Sequence, residues 1–414
     1  MIIIFLMIIL SFILINKKID NKVLTKKLSY IYVIALLFQI ILFIVYRYEL
    51  YKLNMEVYYS DATDYWNATL SILNGRTTAQ YNGVFYYTCA LVQLLSPFIW
   101  AGWNNLFNIM CINISILLVV ISMYEYLKKD NINIKLTTRQ VLLYSILNLF
   151  NPLIYYSLMR NLKDAEFLLL TVYVAYDFCK FVCSNNYKHI ILYFVRLFIC
   201  SILLFGIRPW GFLIGFIPVI LLFFRSEKRV KKKISIILII LTTFMIFALY
   251  HKISSTLIIW VPVVINSALK RGFFQTVLGI FKLILGPGPV RSLFGEEYFT
   301  FYIKSGNYMC MIGSLIWWFE FLIFLFPSIR LTLKNKKNSI KPLLNSFLLV
   351  FLLLFFTIYV MQYGGSAEIR FRGVLYVILS AFFCTKGILK YRIIDFVFAT
   401  ISVFLLLCIN VIFL

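Results

Sequence analysis

The sequence predicts an all-α, polytopic membrane protein with about twelve transmembrane helices, and two observations carry that reading. Of 414 residues, 62% are hydrophobic and 18% aromatic, with a mean hydropathy of +0.91, far from soluble globular composition. Apolar runs of about 17–25 residues, the length that crosses a bilayer as a helix, recur from Met1 to Leu414. The chain therefore reads as one integral membrane domain, 1–414, with no room for a soluble one.

The net charge of +24 would suggest a nucleic-acid partner in a soluble protein. Here the basic residues fill short segments between apolar runs, which is the positive-inside pattern, so no nucleic-acid partner is expected. Five segments set the orientation: Lys17 to Lys27, Lys128 to Arg139, Arg225 to Lys233, Arg330 to Lys341 and Lys386 to Arg392. All five are expected on the cytoplasmic side.

The first run, MIIIFLMIILSFILI, has no basic stretch before it and no small-residue cleavage site after it, so it reads as an uncleaved helix. Ser29 to Tyr46 is the second span. Phe85 to Trp103, broken by Pro97 and ending in Trp103, Asn104 and Asn105, suits a juxtamembrane or re-entrant helix. That places 47–105 in one external loop, before a span over Leu106 to Leu127. Further spans are expected near 140–158, 166–183, 190–207, 210–224, 234–250, 308–327, 343–361, 373–385 and 395–413. A second external segment, 251–307, holds an expected interfacial helix at Leu257 to Phe274 and the breaker-rich GPGP at Gly286 to Pro289, suited to capping a cavity. The eight cysteines lie mostly in apolar runs and read as small buried hydrophobes, Cys179 and Cys183 being the one close pair. His189 and His251 are too far apart in sequence to suggest a histidine metal cluster.

This topology puts Asp61, Asp64, Arg160, Lys163, Asp164, Glu166, Arg208, Glu296, Glu297, Glu368, Arg370 and Arg372 on the outer side. The positive-inside rule leaves that side poor in Lys and Arg, so its cations call for a ligand, and an anionic one fits.

Four constellations stand out. In SDATDYW, Ser60 is placed to cap a helix whose first turn holds Asp61 and Asp64, i and i+3 on one face. Such carboxylates serve as a general base or as ligands of a divalent cation, Mg²⁺ or Mn²⁺, or they simply solvate a loop. In NPLIYYSLMRNLKDAE, Arg160 and Asp164 have the spacing of a helix-end salt bridge, while Arg160 with Lys163 also makes a phosphate clamp. Arg208 in GIRPWG sits in a turn that Pro209 and Gly211 already explain, so it points to a buried anion or a carboxylate partner. In QYGGSAEIRFRG, Arg370 and Arg372 alternate along an expected extended segment after Gly364 and Gly365. A weaker fifth, LGPGPVRSLFGEE, offers Arg291, Glu296 and Glu297. No GxxxxGK[ST], GxGxxG, HExxH or GxSxG is present, which argues against nucleotide-dependent chemistry on the cytoplasmic side.

The order of these parts resembles the GT-C superfamily of membrane glycosyltransferases: a first core helix, an external loop opening on an acidic motif, an interfacial helix, and a second charged external loop. In the aminoarabinose-transferase and protein O-mannosyltransferase branch the first loop reads DExxY, then a small residue and a glycine. Asp61 and Tyr65 match the first and fifth positions, with Ala68 and Gly75 downstream, and Ala62 stands where that branch has Glu. The outline also resembles bacterial repeat-unit polymerases of surface polysaccharides.

The resemblance implies an inverting glycosyltransferase at the cell membrane, drawing on a polyprenyl-phosphate-linked sugar at the outer face, with a glycan, lipid or protein acceptor. Asp61 would be the base and Asp64 its partner or replacement, while Arg160, Lys163, Asp164, Arg208, Arg370 and Arg372 would form the phosphate-binding region. The rivals are a capsule or O-antigen polymerase, an anionic-lipid flippase or transporter, against which the lack of internal repeats counts, and a structural membrane protein.

Overall fold

The structure is a computed structural model and describes residues 1–58, 60–76, 83–129, 134–184, 186–215, 250–294, 303–334, 343–364, 369–387 and 389–412. Every helix or strand among them is a helix. In chain order they are α1 (Ile2–Lys18), α2 (Lys22–Lys52), α3 (Ser60–Leu73), α4 (Gly83–Leu94), α5 (Ala101–Lys129), α6 (Ile134–Leu149), α7 (Pro152–Met159), α8 (Asp164–Cys183), α9 (Tyr187–Ile207), α10 (Tyr250–Leu285), α11 (Pro289–Phe294), α12 (Lys304–Lys334), α13 (Leu343–Tyr363), α14 (Ile369–Thr385) and α15 (Ile393–Ile412).

Five helices among the described residues are long and apolar enough to cross a membrane: α2, Ala101–Leu127 of α5, Lys188–Ile207 of α9, Lys304–Leu333 of α12, and α15. A sixth arises if Leu136–Leu149 and Pro152–Met159 form one span, bent by 53°. The protein is thus an all-α membrane protein. The expected span at 234–250 lies almost wholly outside the described residues, as does most of that at 210–224.

Burial sorts the helices. Of the most apolar window of α5, 94% is inside the bundle, against 11% for α15. Exposed Phe5, Leu37, Ile41, Phe404 and Leu405 on α1, α2 and α15 give those helices a lipid-compatible surface. At the centre lies α7, all eight of whose residues are fully buried, packed on α5, α12, α14, α2 and α8.

The span expected near 140–158 is broken, for a local reason. Pro152 has no N–H to continue α6 and is suited to a first helical position. The Asn151 side chain accepts from Leu153 N and Ile154 N at 3.0 and 3.4 Å and donates to Gly313 O at 3.2 Å. The new helix therefore starts with its free amides capped inside the bundle.

Other boundaries also differ from the sequence reading. The run Phe85 to Trp103 is not one helix: α4 ends at Leu94, and Trp103, Asn104 and Asn105 belong to the first turns of α5. Ser96 Oγ donates to Val92 O at 2.7 Å, and Pro97 supplies no donor to carry the helix on. The start of α5 is capped by Glu56, whose Oε1 accepts from Ala101 N at 2.8 Å and from Arg47 at 3.2 Å. The expected interfacial helix Leu257 to Phe274 is part of the 36-residue α10, which kinks at Gly272, φ 77° and ψ 164°.

Candidate functional site

Helix α3 buries Ala62, Tyr65, Trp66 and Thr69, the i, i+3, i+4, i+7 stripe of an amphipathic helix. Asp61 flanks that stripe and is half-buried, whereas Asp64 lies beyond the first turn and is exposed. The two acids of SDATDYW therefore differ in environment although they are one turn apart. The side chain of Ser60, expected to cap this helix, is outside the described residues.

The buried stripe rests on the segment after α7. Leu162 shares one apolar cluster with Val57, Ala62, Tyr65, Trp66, Phe85 and Tyr86. Asn161 Nδ2 donates to Ala62 O at 3.4 Å, and Lys163 Nζ lies 5.6 Å from the Tyr65 ring centroid. Two constellations separated by about a hundred residues of chain thus form one surface.

Between α7 and α8 the backbone leaves helical geometry: Arg160, the C-cap of α7, has φ −53° and ψ 159°. The carbonyls freed there are answered by a ladder on α5. Asn105 Nδ2 donates to Met159 O at 2.9 Å, Asn108 Nδ2 to Arg160 O and Leu162 O at 2.8 and 3.2 Å, and Asn104 Nδ2 to Asn161 Oδ1 at 3.2 Å. Gln93 Nε2 donates in turn to Asn104 Oδ1 at 2.9 Å. Sequence reasoning took Asn104 and Asn105 as interface markers and missed this role. Its signal is WNNLFN itself, three amides in an apolar helix, where each polar group needs a partner.

The helical i, i+4 relation expected between Arg160 and Asp164 does not exist, because Arg160 ends one helix and Asp164 begins another. Asp164 instead receives the guanidinium of Arg208 in a buried ion pair. Arg208 is the C-cap of α9, packed against the rings of Phe167, Tyr359 and Phe371 at 5.3–5.7 Å.

Arg372 follows Phe371 directly and lies in α14, not on an extended strand. In a helix, residues 370 and 372 point about 200° apart, so the pair does not share a face; the Arg370 side chain lies outside the described residues. Arg372 is 4% exposed and Arg160 5%. Nε of Arg160, and Nε and Nη1 of Arg372, are buried with no hydrogen-bond partner among the described residues. Both guanidinium groups lie within electrostatic range of Cys310 on α12, so they face a common region. Arg160 also sits 5.4 Å from the Tyr156 ring, and the Tyr156 ring packs edge-on to Tyr46, centroids 6.1 Å apart.

The GPGP turn closes this region on the side of α10 and α14. Arg372 Nη2 reaches Lys282 O at 3.4 Å, Tyr376 OH donates to Gly286 O at 2.5 Å, and Trp317 and Trp318 donate to Ile284 O and Leu285 O at 2.7 Å each. Tyr376 and Trp317 stack with centroids 3.9 Å apart. Buried Glu166 lies near Thr88 on α4, and its Oε1 has no hydrogen-bond partner among the described residues. Glu296, Glu297 and Glu368 lie outside the described residues.

Chemically, the arrangement is a buried cationic cluster with N–H donors that have no partner among the described residues, joined through Asn161 and Lys163 to a helix carrying one half-buried carboxylate. Among the described residues no group of three or more His, Cys, Asp or Glu is arranged to hold a metal ion. Comparison with protein-family models, curated proteins and solved structures finds no match for this chain.

Proposed function

We propose that the chain is a membrane glycosyltransferase of GT-C type, with about twelve crossings and its site at the outer face of the cell membrane. It moves a sugar from a polyprenyl-phosphate donor to a glycan, lipid or protein acceptor. The observation that carries this reading is the convergence of Arg160, Lys163, Arg208 and Arg372, from three separate chain segments, around the α7–α8 connection on which the acidic helix α3 rests.

Three buried arginines with one buried aspartate leave positive charge that an anionic headgroup would neutralise. A phosphate uses the planar N–H fork of arginine well. In transfer from a lipid phosphate, charge builds on that phosphate as the glycosidic bond breaks. Fixed guanidinium donors stabilise it, each worth on the order of 3 kcal/mol. Asp61, half-buried on α3, is the base that takes the proton of the acceptor hydroxyl; Asp64, exposed, is its weaker partner.

A repeat-unit polymerase is the second reading, favoured by the dominance of arginine over carboxylate in the site. Both are tested by analysing lipid-linked sugars in cells lacking the chain or carrying Arg372→Ala. Accumulation of a polyprenyl-phosphate monosaccharide supports the transferase and accumulation of a whole repeat unit the polymerase. An unchanged lipid-linked pool would reject both.

A further inference from the structure

The middle of the bundle holds a carboxyl group that the outer site does not use. Glu320 is halfway along α12, fully buried. Its Oε1 accepts from Asn148 Nδ2 at 2.6 Å, and Asn148 Nδ2 also donates to Tyr144 O at 3.0 Å and reaches Ser380 Oγ at 3.4 Å. Glu320 Oε2 and Asn148 Oδ1 are buried oxygens with no hydrogen-bond partner among the described residues.

Three other buried carboxylates in the bundle are charge-paired, Asp164 with Arg208, Asp177 with Arg196 and Asp395 with Arg330, whereas Glu166, nearer the outer site, shares with Glu320 the absence of an ion pair among the described residues. Glu320 has no Lys, Arg or His partner among the described residues. The titratable groups facing it are Tyr144 on α6, Cys384 on α14 and Tyr391 before α15, none of them cationic, and Asp395 on α15 is held by Arg330.

An unneutralised carboxylate deep in a membrane bundle is costly. Asn148 is one residue from the C-terminus of α6, where the span breaks. The backbone carbonyls at such an end carry partial negative charge, and broken membrane helices use them with side-chain oxygens to hold cations. Carboxylate, amide oxygen and helix terminus thus all favour the same sign of ligand.

We infer that Glu320 and Asn148, at the break between α6 and α7, form a buried site for one monovalent cation, either Na⁺ or a proton. A proton neutralises Glu320 and turns one carboxyl oxygen into a donor. Na⁺ neutralises it by taking Glu320 Oε2 and Asn148 Oδ1 as ligands. The site does not depend on the glycosyl-transfer reading, and its test has no activity readout.

The experiment is thermal unfolding of the purified full chain in detergent, in choline, potassium or sodium chloride, at pH 6 and pH 8. Na⁺ as occupant gives a saturable rise in Tm at pH 8 that K⁺ and choline do not reproduce. A proton gives a Tm that falls from pH 6 to pH 8 whatever the salt, because a carboxyl held neutral in the fold contributes stability that is lost as pH rises through its folded pKa. Glu320→Gln, neutral at every pH, abolishes whichever response the wild type shows. Asn148→Ala weakens it, and serves in its place if Glu320→Gln does not insert. A wild-type Tm indifferent to both Na⁺ and pH, or a response that survives intact in both variants, overturns the site.

Discussion

The guanidinium of Arg208 pairs with the carboxylate of Asp164, joining residues 44 positions apart and fixing the end of α9 against the start of α8. Both are buried, with side chains 10% and 1% exposed. The pair consumes the one carboxylate that sequence spacing assigned to Arg160. Among the described residues Arg160 and Arg372 then have no carboxylate partner, so the ion pair shapes the site by what it withholds from it.

Removing one partner of this pair leaves the other as an uncompensated buried charge. Asp164→Ala and Arg208→Ala are each expected to cost about 3–5 kcal/mol, and the double variant less than the sum of the two. Thermal unfolding of the detergent-solubilised protein as a double-mutant cycle measures the coupling. Strict additivity would show that the two side chains do not depend on each other.

The two acids of α3 are expected to separate sharply. Asp61→Asn should lower transfer by about 100-fold or more, the range of a lost general base, with insertion and Tm unchanged. Asp64→Asn, at an exposed position, should keep most of the activity. The measurement is turnover of polyprenyl-phosphate sugar by the purified variants. Equal losses from both would mean that the difference in burial between Asp61 and Asp64 has no chemical meaning.

Much of the fold was legible because hydropathy needs no tertiary information: α2, α9, α13 and α15 fall where the apolar runs are. The site was legible in its parts and not in its joints. Arg160, Asp164, Arg208 and Arg372 were each conspicuous as charges beside apolar spans, yet spacing paired Arg160 with Asp164 on a single helix. The break at Arg160 rests on amides delivered from α5, about fifty residues earlier, which no local pattern encodes. Arg372 was read as extended because GGSAE resembles a loop, although the helix begins at Ile369. The cap of α5 by Glu56 and the partnering of Glu320 by Asn148 were likewise invisible, since both depend on packing between remote segments.

The asparagine ladder makes a distinct prediction. Asn108→Leu keeps the volume nearly constant but removes the donor to Arg160 O and Leu162 O, leaving two carbonyls with one fewer buried partner. A loss of about 1–3 kcal/mol is expected, together with weaker substrate binding, because the segment that carries Arg160 and Lys163 is no longer held. Thermal unfolding and the KM for the lipid-linked donor report the two effects. Loss of stability with an unchanged KM would separate the ladder from the site.

Arg372, two of whose buried donor nitrogens have no partner among the described residues, is expected to be sensitive even to conservative change. Arg372 is tethered at one nitrogen, Nη2 to Lys282 O, and offers Nε and Nη1; lysine would present a point charge with no planar fork. Arg372→Lys should therefore restore only part of the activity lost in Arg372→Ala. If the arginine serves merely to bond the end of α10, lysine can still donate to Lys282 O, and the two variants then diverge in Tm but not in KM for the donor. If it holds a phosphate, KM for the donor rises in both, more in alanine than in lysine, and added inorganic phosphate or pyrophosphate inhibits the wild type more strongly than either variant. Inhibition that is the same in all three proteins would remove Arg372 from the anion-binding cluster.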